Sequence, residues 1–292
     1  MNPPSKCHGL LCHYFHDDKE FPAAQGSLSV DDFERLLDAY GRRLVPAKVW
    51  LQRFAMGHLT EEVVVTCDDG LLEAYALALP VLEARGLTAC WNVYTGPYVG
   101  VPNNMELYRW VRNHGFTDMA GFYKVWRAIC DCAPAPDEYL QDRSYLTRMD
   151  KDFRYWRDTT TPCDYEDLMD TLVTDAGMDA LDHQWWMSPT QLRNLHRSGH
   201  IIGIHTHSHP YDMTTLSLEQ TALEYATSRA VLAGVLECEP KTIITMSHPR
   251  GLARPEGVAW LEANGFVLGW GATMEGQAPW MTPRWSTGHW RL

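Results

Sequence analysis

Val63-Val64-Val65-Thr66-Cys67-Asp68-Asp69-Gly70 is a β-branched run that stops abruptly on two carboxylates and a glycine. A run of this kind, without polar alternation, suits a strand buried on both faces of a parallel sheet. Adjacent side chains of a strand point to opposite faces. Asp68 and Asp69 therefore share one cavity only where the strand ends, and Gly70 permits the turn by accepting positive φ. A second segment has the same construction. Gly199-His200-Ile201-Ile202-Gly203-Ile204-His205-Thr206-His207-Ser208-His209-Pro210 is apolar until it ends in imidazoles, of which His205 and His209 lie four residues apart. One carboxylate with two imidazoles is a ligand set for a catalytic divalent metal that keeps open positions. The second carboxylate is left to handle a proton.

Around these segments the chain alternates. Residues 9–15 read as a first strand and Ser29 caps a helix that ends at Gly41. Residues 61–67 are a strand, 71–85 a helix stopped by Gly86, and 88–94 another strand. This β-α-β-α-β order predicts a parallel sheet or barrel covered by helices. Over residues 103–186 the rhythm lapses: 105–111, 122–129 and 165–172 are helical in period and no clear strand intervenes. It resumes with a capped helix at Ser188-Pro189, strands at 201–204 and 241–246 with a helix at 217–236 between them, a helix at 255–264 and a strand at 266–270. The predicted organisation is a barrel formed by 1–102 and 187–292, with a helical insertion at 103–186.

At 292 residues and 45% hydrophobic, the chain can bury a sizeable core in one large domain or two small ones. A net charge of -12 argues against nucleic acid and against anionic membranes as partners. The eight cysteines are irregularly spaced, and Cys12, Cys67 and Cys90 lie in or beside apolar strand-like runs, which fits buried reduced thiols. Cys130-Asp131-Cys132 has no partner cysteines at zinc-site spacing and reads as structural. The N-terminal residues lack the apolar stretch of a secretory signal and nothing approaches the length of a transmembrane segment. A cytoplasmic protein is expected. Trp156, Trp185 and Trp186 suit either sugar stacking or core packing, with packing favoured.

Thr66-Cys67-Asp68-Asp69-Gly70 resembles the Thr-Phe-Asp-Asp-Gly motif of NodB-homology polysaccharide deacetylases (carbohydrate esterase family four). His205-Thr206-His207-Ser208-His209 resembles that family's His-Ser/Thr-x-x-His, with the usual Pro210 after it. Ser29-Val30-Asp31-Asp32-Phe33-Glu34 and Leu216-Ser217 are similar to the surroundings of these motifs, so the resemblance covers both flanks of the insertion. It implies an α/β fold: a distorted (β/α)7-type barrel whose site lies at the C-terminal strand ends. It implies that Asp69, His205 and His209 ligate a divalent metal, Zn²⁺ on this donor set, and that Asp68 is the catalytic base. It implies that the backbone N–H of Arg250 meets the oxyanion, since Met246-Ser247-His248-Pro249-Arg250-Gly251 stands where the family has Arg-x-Pro-Tyr-Gly. Ser247 replaces the arginine that orients the base, and Pro283-Arg284-Trp285 resembles a Pro-Arg element that some branches use instead. For the general acid, His13 and His289 are the candidates. His207 reads as a bystander, and His13 and His16 beside Asp17-Asp18 as a second polar cluster.

The implied activity is hydrolysis of an N-acetyl or similar acyl group on a sugar, with an N-acylated sugar, nucleotide sugar or lipid-linked glycan as substrate. The similar branches accompany surface-polysaccharide and O-antigen biosynthesis. Two other readings stand beside it. One is an amidohydrolase on the same scaffold that opens small cyclic amides. The other, motivated by the missing motif-three arginine, is a catalytically weakened carbohydrate-binding protein.

Overall fold

The computed structural model describes residues 6–141, 146–178, 183–271, 281–282 and 284–286, the last two groups by backbone and the side chain of Arg284. The chain divides into two compact units, Met1–Asn103 with Gln184–Leu292, and Asn104–His183.

The first unit is built on a parallel sheet. Its strands are β1 (His8–Cys12), β2 (Val63–Cys67), β3 (Cys90–Val93), β4 (Ile201–Ile204), β5 (Thr245–Ser247), β6 (Leu268–Trp270), β7 (Met281–Thr282) and β8 (Arg284–Ser286). They lie in the order β8-β1-β2-β3-β4-β5-β6-β7. The last two matter most. β7 pairs with β6 (Gly269 with Met281, Trp270 with Thr282), and β8 pairs with β1 (Gly9 with Arg284, Leu10 with Trp285). Only residue 283 separates them, so one stretch of chain borders both edges of the six-stranded sheet and brings it round to a seven-membered barrel. That is the architecture the sequence motifs predict.

β1 and β2 are buried along their whole length, as parallel strands covered on both faces must be. The helices that cover the sheet show their origin in the sequence. In α1 (Val30–Tyr40), the Ser29 hydroxyl caps the Asp32 N–H, Gly41 ends the helix, and Phe33, Leu36, Leu37 and Tyr40 form the buried stripe. A second helix, α2 (Ala47–Ala55), starts at Pro46 with no side-chain cap, so no start signal marks it, and it buries Ala47 and Trp50. Residues Ala74–Ala78 form a wide π turn that leads into α3 (Leu79–Ala84). Pro80, which has no N–H to donate and would crowd the carbonyl four residues back, gives a reason for the widening.

Three strand expectations are corrected. The first strand breaks at His13-Tyr14, and Phe15–His16 pairs instead with Leu28–Ser29 in a separate two-stranded sheet. The stretch 241–246 is not one strand: Pro240–Thr242 make a 3₁₀ turn, and β5 begins only at Thr245. The last predicted strand starts two residues late, at Leu268.

In the second unit, α4 (Met105–His114), α5 (Met119–Ile129), α6 (Arg148–Thr159) and α7 (Pro162–Asp175) enclose Tyr108, Val111, Phe122, Trp126, Phe153 and Leu172. α6 is one helix more than the periodicity predicts. Its start signal was present, a capping box in which Thr147 and Asp150 satisfy each other's backbone N–H groups. Trp156 packs against Trp126 at 5.9 Å between ring centroids and belongs to this core. All eight cysteines are free thiols.

Inside the barrel, backbone and side chains meet so closely that two positions tolerate no side chain. A Cβ on Gly9 would stand 2.8 Å from Trp270 Cζ3 and 2.9 Å from Arg284 Cγ; one on Gly203 would stand 2.7 Å from the Thr245 carbonyl oxygen and 2.8 Å from Asn92 Oδ1. Gly203→Ala is therefore expected to lower the unfolding free energy by about 1–3 kcal/mol, read from urea titrations, because the Thr245 backbone cannot retreat.

Candidate metal and acid-base site

The site begins where β2 stops. Asp68 follows Cys67, and the chain then turns through Asp69 (φ 70°) and Gly70 (φ 76°). Asp tolerates the left-handed region better than most residues, and this turn lets both carboxylates face the barrel mouth. The stretch after α7 straps the turn down: the Leu72 N–H donates to the Trp185 carbonyl at 2.8 Å, and the Met187 N–H to the Gly70 carbonyl at 2.9 Å. Trp185 and Trp186 thus belong to the first unit, just ahead of its helix α8 (Pro189–Arg197).

β4 delivers the imidazoles. Its end is pinned by the His205 N–H, which donates to the Val93 carbonyl at 2.8 Å. The loop then passes through Thr206 (φ 65°) to His209 (φ 54°). His205 Nε2 lies 3.2 Å and His209 Nε2 3.4 Å from Asp69 Oδ1. Among the described residues these three form the group able to hold a metal ion, with ligand atoms within 4.8 Å of one another.

Three observations say that this group fits a cation. Two donors at zinc-ligand bond lengths on a tetrahedral centre lie about 3.3 Å apart, which matches the spacing here. Asp69 Oδ1 is buried and makes no hydrogen bond, a costly state unless something else satisfies it. His205 Nδ1 sits 2.9 Å from the Ser247 carbonyl, to which it donates. Its Nε2 then carries a lone pair aimed towards another lone pair on Asp69, and outer partners of this kind fix the tautomer of metal-ligating histidines. The electrostatics agree. Burial disfavours the charged imidazole of His205, yet the Asp68 and Asp69 carboxylates hold its pKa above the ordinary value. Burial likewise opposes ionised Asp69, and the two imidazoles hold it well below the usual carboxylate range. The pocket is built to gather positive charge at one point.

Asp68 has a different environment. Its Oδ1 accepts from Arg284 Nη1 at 2.7 Å, Asn92 Nδ2 at 2.8 Å and Ser247 Oγ at 3.1 Å. Desolvation would raise its pKa; the Arg284 guanidinium, helped by His205 and His13, overrides this and holds it at about 2. Oδ2 faces His13, whose Nε2 is 3.9 Å away and whose side chain is about one-third exposed. Arg284 is fully buried, comes from β8, and donates its Nε–H to the Gly271 carbonyl.

The remaining candidates are placed as follows. Arg250 lies in the 3₁₀ turn Pro249–Gly251 after β5 at φ 55°; its guanidinium covers the Tyr211 ring at 4.2 Å, so the side chain lies apart from the Asp68 cluster. His207 Nδ1 meets Thr95 Oγ1 at 3.1 Å and takes no part in the Asp69 group. His16 bonds to exposed Asp18. His289 lies outside the described residues. Two contributors escaped sequence reading, Asn92 and the side chain of Ser247. A signal existed for Asn92, an amide in the middle of the wholly buried strand Cys90–Val93, where a polar group needs a partner.

Residues 166–266 match the family model for polysaccharide deacetylase, a stretch that includes the His205–His209 loop but ends short of the Asp68-Asp69 turn on the N-terminal side. No curated protein matches the chain. Among solved structures, the Streptococcus pyogenes deacetylase PplD in complex with acetate aligns with TM-score 0.57 at 16% identity, over 97% of this chain and 93% of that one. IcaB from Ammonifex degensii gives TM-score 0.57 at 16% identity, over 96% and 91%. The BpsB deacetylase domain from Bordetella bronchiseptica gives 0.52 at 12%, over 97% and 95%. At these identities the likeness establishes a shared fold.

The Arg284–Asp68 pair yields a pH-dependent expectation. Asp68 has a lower pKa folded than the ordinary aspartate value of 3.8, so it contributes stability above about pH 4 that is lost as the pH falls towards 2. Arg284→Met leaves the carboxylate buried without its counter-charge and is expected to cost about 3–5 kcal/mol at pH 7. That cost should shrink on acidification and be largely relieved by Asp68→Asn in the double variant, as measured by chemical unfolding at pH 7 and pH 4.

Proposed function

We propose that this chain is a metal-dependent hydrolase that removes an N-acetyl, or similar acyl, group from a sugar. The observation that carries the reading is the side-by-side arrangement of two carboxylates with opposite surroundings: Asp69 within 3.4 Å of two imidazole nitrogens, and Asp68 held through one oxygen by Arg284, Asn92 and Ser247. The polysaccharide deacetylase match and the deacetylases sharing its fold support the same chemistry.

Asp69, His205 and His209 would hold the ion, which supplies Lewis-acid polarisation of the acyl carbonyl and a lowered pKa for the attacking water. The donor set suits Zn²⁺. Asp68 accepts the proton of the attacking water at Oδ2, because its other oxygen is already saturated by three donors. Arg284 keeps that carboxylate ionised and fixed in direction. The Arg250 N–H is assigned to the developing oxyanion, a contact of a type worth roughly 3 kcal/mol. His13, 3.9 Å from Asp68, is assigned to protonating the leaving amine. The missing motif-three arginine, which motivated the reading as a weakened binding protein, has a substitute in Arg284 at 2.7 Å from the base.

For substrate we propose an N-acylated sugar of a surface glycan such as an O-antigen, taken as a nucleotide sugar or lipid-linked precursor in the cytoplasm. Among the described residues no helix is long and apolar enough to cross a membrane. The test is incubation of the metal-loaded protein with N-acetylated nucleotide sugars, lipid-linked glycans and oligosaccharides, with free amine and acetate read by mass spectrometry. Release from none of them would count against the proposal.

Two variants separate the carboxylates. Asp69→Ala should abolish stoichiometric metal uptake, measured by elemental analysis after dialysis. Asp68→Asn should retain the metal and lose roughly 10²–10⁴ in rate; undiminished acetate release would remove Asp68 from the role of base.

A further inference from the structure

We infer that Glu224 is a positioning residue of the metal-ligand loop, holding the backbone between His205 and His209 in the one shape that aims His209 at Asp69. The inference rests on the reading of these three residues as metal ligands.

The two imidazoles are supported unequally. His205 is the first residue after β4, and its Nδ1 is anchored on the Ser247 carbonyl at 2.9 Å. His209 has no such anchor: among the described residues its other ring nitrogen makes no hydrogen bond, and its ring meets Tyr94 edge-on at 5.8 Å. Its direction must come from the loop backbone. That backbone is not relaxed. Thr206 at φ 65° and His209 at φ 54° both occupy the left-handed region, which costs a non-glycine residue, and a β-branched one most, of order 1–3 kcal/mol. A loop strained at both ends keeps its shape only if its middle is held.

The middle is held by one long helix, α9 (Leu218–Leu236), whose start is locked by a capping box between Ser217 and Gln220. Glu224 Oε2 accepts the N–H of His207 at 2.8 Å and the N–H of Ser208 at 2.9 Å, and Oε1 accepts the Ser208 hydroxyl at 2.6 Å. Two successive backbone N–H groups turned onto one anionic oxygen form a small backbone cradle. Bonds to an ionised acceptor are roughly twice as strong as neutral ones. Ser228 stands four residues further along α9, on the same face. Its hydroxyl donates to the Thr206 carbonyl at 2.9 Å. The helix therefore grips residues 206, 207 and 208 in succession, leaving the two ligands at the ends of a clamped segment.

The test compares wild type with Glu224→Ala, Glu224→Gln and Ser228→Ala. Zn²⁺ affinity is measured by competition with a chromogenic chelator, and thermal unfolding of the metal-free proteins is recorded in parallel. Glutamine can place its carbonyl oxygen where Oε2 stands and its amide against the Ser208 hydroxyl, so it preserves the cradle without the charge. The expected result is a loss of about 10–100-fold in Zn²⁺ affinity for Glu224→Ala, a smaller loss for Ser228→Ala, and near-complete rescue by Glu224→Gln. The metal-free melting temperatures should stay close to wild type. Turnover of Glu224→Ala should recover as Zn²⁺ is raised, with KM for the sugar little changed. Unchanged affinity in a folded Glu224→Ala protein overturns the inference, and so does a Gln variant as weak as the Ala variant. If Glu224→Ala does not fold, Glu224→Asp, too short to reach both N–H groups and Ser208, carries the same comparison. A wild-type protein that takes up no Zn²⁺ overturns the metal reading itself, an outcome distinct from equal affinities in wild type and variant.

Discussion

The contact on which the molecule turns is the ion pair between Arg284 and Asp68. Its partners are 1% and 2% exposed, 2.7 Å apart and 216 residues apart in the chain. Removing either charge from water is expensive, and removing one partner alone leaves the other uncompensated. The pair is tolerable because the remaining hydrogen-bonding capacity is met by Asn92, Ser247 and the Gly271 carbonyl. It is possible at all because Gly9, lying between the two strands, has no side chain to obstruct the arginine stem. One interaction thus ties the closing strand to the second strand and fixes which oxygen of the central carboxylate stays available.

Strain in the backbone follows the same map. Of the seven described non-glycine residues at positive φ, four (Asp69, Thr206, His209 and Arg250) sit in loops at the C-terminal ends of strands of the one sheet, while Asp18, Leu140 and Glu237 lie elsewhere. The strands themselves are regular and buried. Those four conformations fall where ligand and donor atoms must be aimed, and hydrogen bonds from rigid elements support the loop of Thr206 and His209: β3 to His205, α9 to the loop beyond it, β5 to the His205 ring. Strained residues of this kind persist only where the surroundings over-determine them.

Much of this was legible in the chain. The run Val63 to Cys67 announced a buried parallel strand, Ser29 and Ser217 announced helix starts, and the carboxylate and imidazole endings marked the strand tips as one functional face. What escaped did so for physical reasons. α2 carries no cap, and Pro240 hid a turn inside an apolar stretch that imitates a strand. The partners of Asp68 escaped because Asn92 and Ser247 come from strands distant in sequence, and only the register of the sheet brings them to one oxygen. Nothing in the sequence marks Glu224, since no periodicity reveals that a loop from elsewhere lies across its helix. Arg284 was legible only as a dipeptide resembling an element of similar proteins; its reach to Asp68 is a property of barrel closure.

That closure has a temporal side. Ribosomes deliver a chain from its N-terminus, so β1 to β6 are all synthesised before residues 281–286. Until those residues emerge, the nascent barrel has two open edges and a central carboxylate without its guanidinium partner. Such an intermediate would present two unpaired sheet edges, a general liability for pairing with other chains. A chain cut short before Arg284 would keep Asp69, His205 and His209 but lose both the strand that closes the ring and the guanidinium that faces Asp68.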